Sequence, residues 1–187
     1  MTPSSPTLPD RPERLYLVGM MGSGKTTVGR LVATKLGWVH VDSDEQVCKR
    51  TGRTVREIFE TDGEAAFRRE ESQALHEAAT TTPPSNAVVS VAGGAVLDRT
   101  NRQTLTDTGD VVWLDAPADV LATRVHAGAD HRPLLGDDPE RALTRLEQER
   151  RPLYEELADF VVDAADSNPT QLAEQIVAWF QRARTDA

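Results

Sequence analysis

Cysteine is almost missing from this chain of 187 residues: Cys48 is the only one. No intramolecular disulfide can form, and a zinc site built from several thiolates is excluded. Cys48 itself reads as a small residue on a helix face. There is no run of about 18 apolar residues, which excludes a membrane-spanning helix. Basic residues are outnumbered, with 21 Lys and Arg against 30 Asp and Glu and a net charge of −9. Such a chain repels duplex DNA and anionic membranes, so neither is expected as a partner, although a local basic cleft is compatible with the overall balance. Residues 1–14 carry Pro3, Pro6, Pro9 and Pro12 without an apolar stretch. This is no secretory signal, so it reads as a flexible Pro-rich leader on a cytoplasmic protein. Internal repeats and dividing linkers are also missing, and residues 15–185 are expected to form a single domain.

What is present is an alternation of short apolar runs with helical patterns. Leu15–Val18, Trp38–Val41, Val88–Val91, Val111–Leu114 and the weaker Phe160–Val162 read as strands. Val28, Leu31, Val32 and Leu36 fall at helical spacing before Gly37, and Pro169 opens a final amphipathic helix. Between Glu45 and Thr80 the chain reads as several helices punctuated by Gly52 and Gly63, with Thr54 and Glu57 spaced as a capping box. Further helices are expected from about Ala118 and from Pro139. The pattern predicts an α/β fold, a five-stranded parallel sheet with helices on both faces. In such sheets ligands collect beyond the carboxyl ends of the strands, and the chemistry-bearing residues here follow strands.

Directly after the first strand comes Gly19-Met-Met-Gly22-Ser23-Gly24-Lys25-Thr26-Thr27, which matches the phosphate-binding loop G-x-x-x-x-G-K-[ST]. Its glycines let consecutive N–H groups turn toward phosphate oxygens, and the following helix presents its positive end to the same anion. Lys25 is expected to reach the β- and γ-phosphates, and the Thr26 hydroxyl to ligate Mg²⁺. The context of a buried strand before and an amphipathic helix after makes an incidental glycine-rich turn a poor alternative. The loop names the nucleotide and leaves the second substrate open.

A GTP switch would need an N-K-x-D tetrad, which does not occur, and a motor ATPase would need extra modules. A small-molecule kinase therefore leads. Asp42 and Asp44 follow the second strand at i, i+2 spacing; one can hold Mg²⁺ through water while the other orients the attacking hydroxyl. The competing view is that Asp42 or Ser43 merely caps the next helix. Arg68, Arg132 and the Arg150-Arg151 pair are candidate anion grips, since Arg holds carboxylate or phosphate through two parallel hydrogen bonds. Each alone is as well explained as a solvated surface charge.

Taken together, G-M-M-G-S-G-K-T-T, V-D-S-D, T-G-R-T-V-R-E-I-F-E-T-D-G-E-A-A-F-R-R-E-E, A-G-G-A-V, H-R-P-L-L and R-R-P-L-Y closely resemble the shikimate kinase family, in order and spacing, from about Leu15 to Arg182. The resemblance implies a P-loop kinase fold and transfer of the γ-phosphoryl of ATP to the 3-hydroxyl of shikimate, toward chorismate and aromatic amino acids. It implies that Asp44 meets the acceptor hydroxyl, with Lys25 and Arg132 as the other catalytic groups. Arg68 and Arg150 would hold the shikimate carboxylate, while Gly93 and Gly94 offer backbone groups to the ring. Gly22, Ser23, Gly24, Lys25, Thr26 and Thr27 would bind ATP, with Arg132 closing on the phosphates and Arg124 and Pro169 flanking the adenine. Thr26 and Asp42 would serve one Mg²⁺ per subunit, directly and through water. Arg69 and Arg151 are expected to be surface or lid-facing charges.

A substrate-binding insert is expected at about 45–70 and a lid at about 127–138, the latter polar and without apolar periodicity. Asp44 and Arg68 are expected to open onto one cavity. The family's three glycines are here Ala92-Gly93-Gly94, and alanine at the first position is harmless only if its φ is negative. Gluconate or nucleoside monophosphate kinases, and a nucleotide-binding regulatory module without turnover, are the alternatives. With no motif to enforce association, a monomer is expected.

Overall fold

This computed structural model describes residues 13–80, 85–127, 138–166 and 168–185. Of the leader expected at 1–14, residues 1–12 lie outside them, as do 128–137 of the expected lid with Arg132. The leader's bound is corrected at its end, where Arg14 is buried and already belongs to the first strand. Five strands, β1 (Arg14–Val18), β2 (Val39–Asp42), β3 (Ala87–Ser90), β4 (Asp110–Asp115) and β5 (Phe160–Asp163), form one sheet in the order β2-β3-β1-β4-β5. All pairings are parallel, and Tyr16 lies between Val89 and Val111 in register. The central strand explains itself chemically: Leu15, Tyr16 and Leu17 are fully buried, because helices cover both faces of the sheet.

Helix α1 (Lys25–Leu36) packs on β3 and ends at Gly37, whose φ of 69° lets the chain turn back into β2. Then come α2 (Ser43–Thr51), α3 (Val55–Asp62) and α4 (Glu64–Thr80), separated at Gly52 and Gly63 as the sequence pattern predicts. The Thr54–Glu57 capping box is formed: Glu57 N–H donates to Thr54 Oγ1 at 3.2 Å, and Thr54 N–H donates to Glu57 Oε2 at 2.7 Å. These three helices share a small core of their own, Val47, Ile58, Phe67 and Ala74, apart from the main one under the sheet. Phe59 and Phe67 close it, with ring centroids 4.7 Å apart.

The remaining helices are α5 (Arg99–Thr108), α6 (Ala118–Ala127), α7 (Pro139–Leu157) and α8 (Pro169–Thr185). Helix α5 has no counterpart among the expected elements. Its ten residues include four threonines and bury only Asn101 and Leu105, so no apolar stripe betrays it. Its real signal is Asp98, whose Oδ1 accepts from the N–H groups of Thr100 and Asn101 at 2.7 and 3.0 Å. No helix among the described residues is long and apolar enough to cross a membrane.

Candidate active site

The carboxyl ends of β1, β2 and β3 converge on one rim of the sheet. From β1 the chain enters the loop Gly19–Gly24, where Gly19, Gly22 and Gly24 take φ values of 140°, 83° and 93°. These are left-handed conformations that only glycine adopts without strain. Helix α1 then starts with no side-chain cap and no acidic residue in its first turn. Its first N–H groups and the positive end of its dipole are left for an anion. Lys25 folds back over the loop, Nζ donating to the carbonyls of Gly19 and Met20 at 2.9 Å each. Ser23 is buried and its hydroxyl has no partner among the described residues, so it serves this loop through its backbone.

Asp42, at the end of β2, does two jobs at once. Its Oδ2 accepts from Thr26 Oγ1 at 2.7 Å, and its Oδ1 accepts from the N–H groups of Asp44 and Glu45 at 3.1 and 3.4 Å. The capping role and the site role are therefore not alternatives. Together Thr26 and Asp42 present hydroxyl and carboxylate oxygens beside the phosphate loop, the hard donors that suit Mg²⁺. Among the described residues no three His, Cys, Asp or Glu side chains gather into a metal cluster, so a cation here would lean on phosphate and water for its other ligands.

Two clefts flank the Gly93–Gly94 peptide. The first, about 320 Å³, is lined by Gly22, Gly24, Lys25, Thr26, Thr27, Asp42, Asp44, Gly93 and Arg124. Asp44 stands exposed in the first turn of α2. Arg124 reaches from α6 to the Ala165 carbonyl at 2.6 Å. Pro169 is the exposed first residue of α8 and is not among the residues lining this cleft. The second cleft, about 920 Å³, runs between α4 and α5 and is lined by Glu64, Arg68, Arg69, Glu71, Gly94 and Asn101 among others.

Of these two clefts, Asp44 lines the first and Arg68 the second. On α4, Arg68 is gripped from both sides. Its Nη1 donates to both Glu71 oxygens at 3.0 and 2.9 Å, and its Nη2 to Glu64 Oε1 at 3.0 Å. The guanidinium lies directly against Gly94: a Cβ there would sit 2.7 Å from Arg68 Cζ. Arg150 comes from the other side, buried in α7, with Nε lacking a partner among the described residues. A Cβ on Gly93 would be 3.4 Å from Arg150 Nη1 and 3.5 Å from the Tyr154 hydroxyl. The Gly93–Gly94 peptide thus stands between the two clefts, with Arg68 against Gly94 and Arg150 beside Gly93.

Glu71 is the residue that sequence reasoning missed. It is 1% exposed and carries its charge into the interior. Burial lifts its carboxyl above the usual carboxylate range, Arg68 and Arg150 draw it back, and the charge of Asp44 adds to the lift. The clue was present, because Phe67, Glu71, Ala74, Leu75 and Ala78 lie on one helical stripe, and an acid on an apolar stripe needs a cation opposite. Arg151 lies at the surface but is more than a solvated charge: it forks onto Asp115 at 3.1 and 2.7 Å, bonds Glu147 at 2.8 Å, and lies 4.9 Å over the Trp113 ring. It pins α7 to the end of β4. Ala92 has no positive φ, so the methyl group that replaces the family's first glycine brings no backbone strain.

The sequence profile described as shikimate kinase matches residues 21–181. A shikimate kinase from Synechococcus sp. (strain CC9605) is 43% identical over 180 residues, covering 95% of this chain and 88% of the relative. The solved shikimate kinase from Acinetobacter baumannii in complex with shikimate superposes with a TM-score of 0.86 at 36% identity, covering 92% of this chain and 94% of that one. A gluconokinase from Sinorhizobium meliloti 1021 shares the fold alone, with a TM-score of 0.64 at 19% identity over 94% and 95% of the two chains. On the strength of the profile match and the identity over nearly its whole length, this chain belongs to the shikimate kinase family.

Proposed function

We propose the following division of labour in an enzyme that phosphorylates shikimate with ATP, on the way to chorismate and the aromatic amino acids. The triphosphate lies over Gly22–Thr27, its oxygens facing the loop N–H groups and the start of α1. Lys25 leaves the Gly19 and Met20 carbonyls for the terminal phosphates. Thr26 and Asp42 hold Mg²⁺, which when bound offsets charge on the phosphate oxygens. Arg124 and Pro169 border the adenine. Arg132, from the segment 128–137, closes on the phosphates as a lid residue.

The acceptor lies at the Gly93–Gly94 turn, between Arg68 and Arg150. Its carboxylate is taken by Arg68 and Arg150, and its ring meets the Gly93–Gly94 backbone. Asp44 then orients the 3-hydroxyl toward the γ-phosphorus and accepts its proton. Catalysis is positioning plus cationic charge, with no covalent intermediate on the protein. What supports this reading most is the seating of both arginines on the two glycines. Two guanidinium groups aimed at one backbone turn suit a small ligand that carries a carboxylate and hydroxyls. Arg68 must exchange its glutamates for that carboxylate, which the raised affinity of Glu71 for a proton favours. The helices α2–α4 act as the insert around the acceptor, and the protein works in the cytoplasm as a monomer.

An ADP-release assay with shikimate, gluconate and AMP side by side tests the assignment. ADP release is expected with shikimate alone. Turnover of gluconate or AMP without turnover of shikimate would overturn it.

A further inference from the structure

The turn that carries the two glycines is held by hydroxyl groups from opposite sides of the site. Ala95 N–H donates to Ala92 O at 3.0 Å, and Gly94 has φ −89° and ψ −13°, the values of the third residue of a type I turn. Neither Gly93 nor Gly94 needs a positive φ, so glycine is required at Gly94 for room and not for conformation. On one side the Ala92 N–H donates to Ser43 Oγ at 2.8 Å. On the other, the Tyr154 hydroxyl donates to Gly93 O at 2.7 Å. Both side chains are buried, each residue being 1% exposed.

Tyr154 is itself hard to move. Its ring stacks on Trp113 at 5.8 Å, and Trp113 carries the Arg151 guanidinium that is forked onto Asp115. A trans peptide is planar, with its C=O and N–H pointing in opposite directions. Fixing the Gly93 carbonyl on Tyr154 therefore turns the Gly94 N–H away from Tyr154. Neither the Gly93 nor the Gly94 N–H donates to another group among the described residues. A buried backbone donor of this kind has a strong claim on an outside acceptor.

Building on the acceptor placement given under Proposed function, we propose that Ser43 and Tyr154 are positioning residues for the acceptor alcohol: their hydroxyls clamp the Ala92–Gly93 backbone and so aim the Gly94 N–H at an oxygen of the acceptor ring. Neither side chain touches the reacting atoms. Ser43 fixes the Val91–Ala92 peptide at the start of the turn and Tyr154 the Gly93–Gly94 peptide at its middle. Tyr154 also hydrogen-bonds Arg150, so the effect of both falls on acceptor affinity.

Steady-state kinetics of the whole enzyme, with shikimate and ATP varied separately, test this in Tyr154→Phe, Ser43→Ala and Ser43→Thr. Loss of one hydrogen bond to the turn is expected to raise the shikimate KM about five- to tenfold. The ATP KM and kcat should stay within about twofold, because neither hydroxyl contacts Gly22–Thr27 and the Tyr154 contact with Met20 Sδ is a long one of 4.0 Å. Ser43→Thr, which keeps the hydroxyl, should restore the shikimate KM. An unchanged shikimate KM in both Tyr154→Phe and Ser43→Ala overturns the proposal, as does a fall in kcat at constant KM, the mark of a packing role alone. A wild-type enzyme that released no ADP with shikimate would instead overturn the underlying acceptor assignment, and the inference with it.

Discussion

The phosphate side and the acceptor side of this site are built from different materials. Around the phosphate loop the confinement is mostly by backbone: a Cβ on Gly19 would meet Leu114 O at 2.6 Å, and one on Gly22 would meet Val125 Cγ2 at 3.0 Å and Leu121 O at 3.3 Å. Lys25 is tied to main-chain carbonyls. On the acceptor side, long charged side chains do the confining, with Arg68 strung between Glu64 and Glu71. Beneath them lies the small separate core of Val47, Ile58, Phe67 and Ala74. The Leu114 carbonyl of β4 can move only with the sheet, whereas a guanidinium can exchange one carboxylate for another. On the proposed reading the nucleotide needs only Lys25 to leave its carbonyls, and the acceptor needs ion pairs to be exchanged.

Substitutions on the two sides should therefore fail in different ways. Lys25→Ala removes the cation that the proposed function sets on the terminal phosphates and should lower kcat on the order of 10³-fold, measured by ADP release. The shikimate dissociation constant, measured by titration calorimetry, should hardly change. A large loss of shikimate affinity in Lys25→Ala would show the two sides to be one unit.

The glycines give the sharpest contrast. Gly19→Ala puts a methyl group into the Leu114 carbonyl at a φ of 140°, and neither can yield. We expect a loss of roughly 2–5 kcal/mol of stability, read from denaturant unfolding. Gly94→Ala meets only the end of the flexible Arg68 side chain and has no positive φ. It should fold with nearly normal stability while Arg68 is displaced, raising the shikimate KM on the order of tenfold or more at an unchanged ATP KM. Equal losses of stability in both variants would erase the distinction.

How far the sequence revealed this arrangement follows the same division. The phosphate loop, the five strands and the Thr54–Glu57 box were legible because each depends on residues adjacent in the chain. Asp42 was legible as a candidate for two roles, but not as the holder of both, since one residue's two oxygens can serve a helix and a site together. Tyr154 and Arg151 escaped because their meaning depends on partners distant in sequence, Gly93 for Tyr154 and Asp115 for Arg151. Glu71, by contrast, paired with Arg68 three residues away, was readable from its apolar stripe. Helix α5 escaped because a polar helix stabilised by its cap has little periodicity to read.

The smallest effect expected lies under the phosphate side, where β2 and β3 meet α1. His40 Nε2 and Ser90 Oγ are 2.9 Å apart, and a Cβ on Gly29 of α1 would reach either at 2.8 Å. The imidazole is half-buried, and this burial lowers its pKa from the ordinary 6.5; Asp42 and Glu45 raise it and Arg30 lowers it, all more weakly. Folding therefore favours the neutral ring. Below pH about 6.5 the unfolded chain takes up a proton that the folded one resists, so stability is lost as pH falls through that value. In thermal melts between pH 7.5 and 5.5, the wild type should lose more stability than His40→Leu, which cannot titrate there. The difference should be smaller than any effect above, because the ring is partly solvated. Parallel curves for the two proteins would mean that the proton reaches His40 in the folded state as readily as in the unfolded one. Protonation would then leave the contact between β2, β3 and α1 unstrained, and the cradle would owe its stiffness to main chain alone.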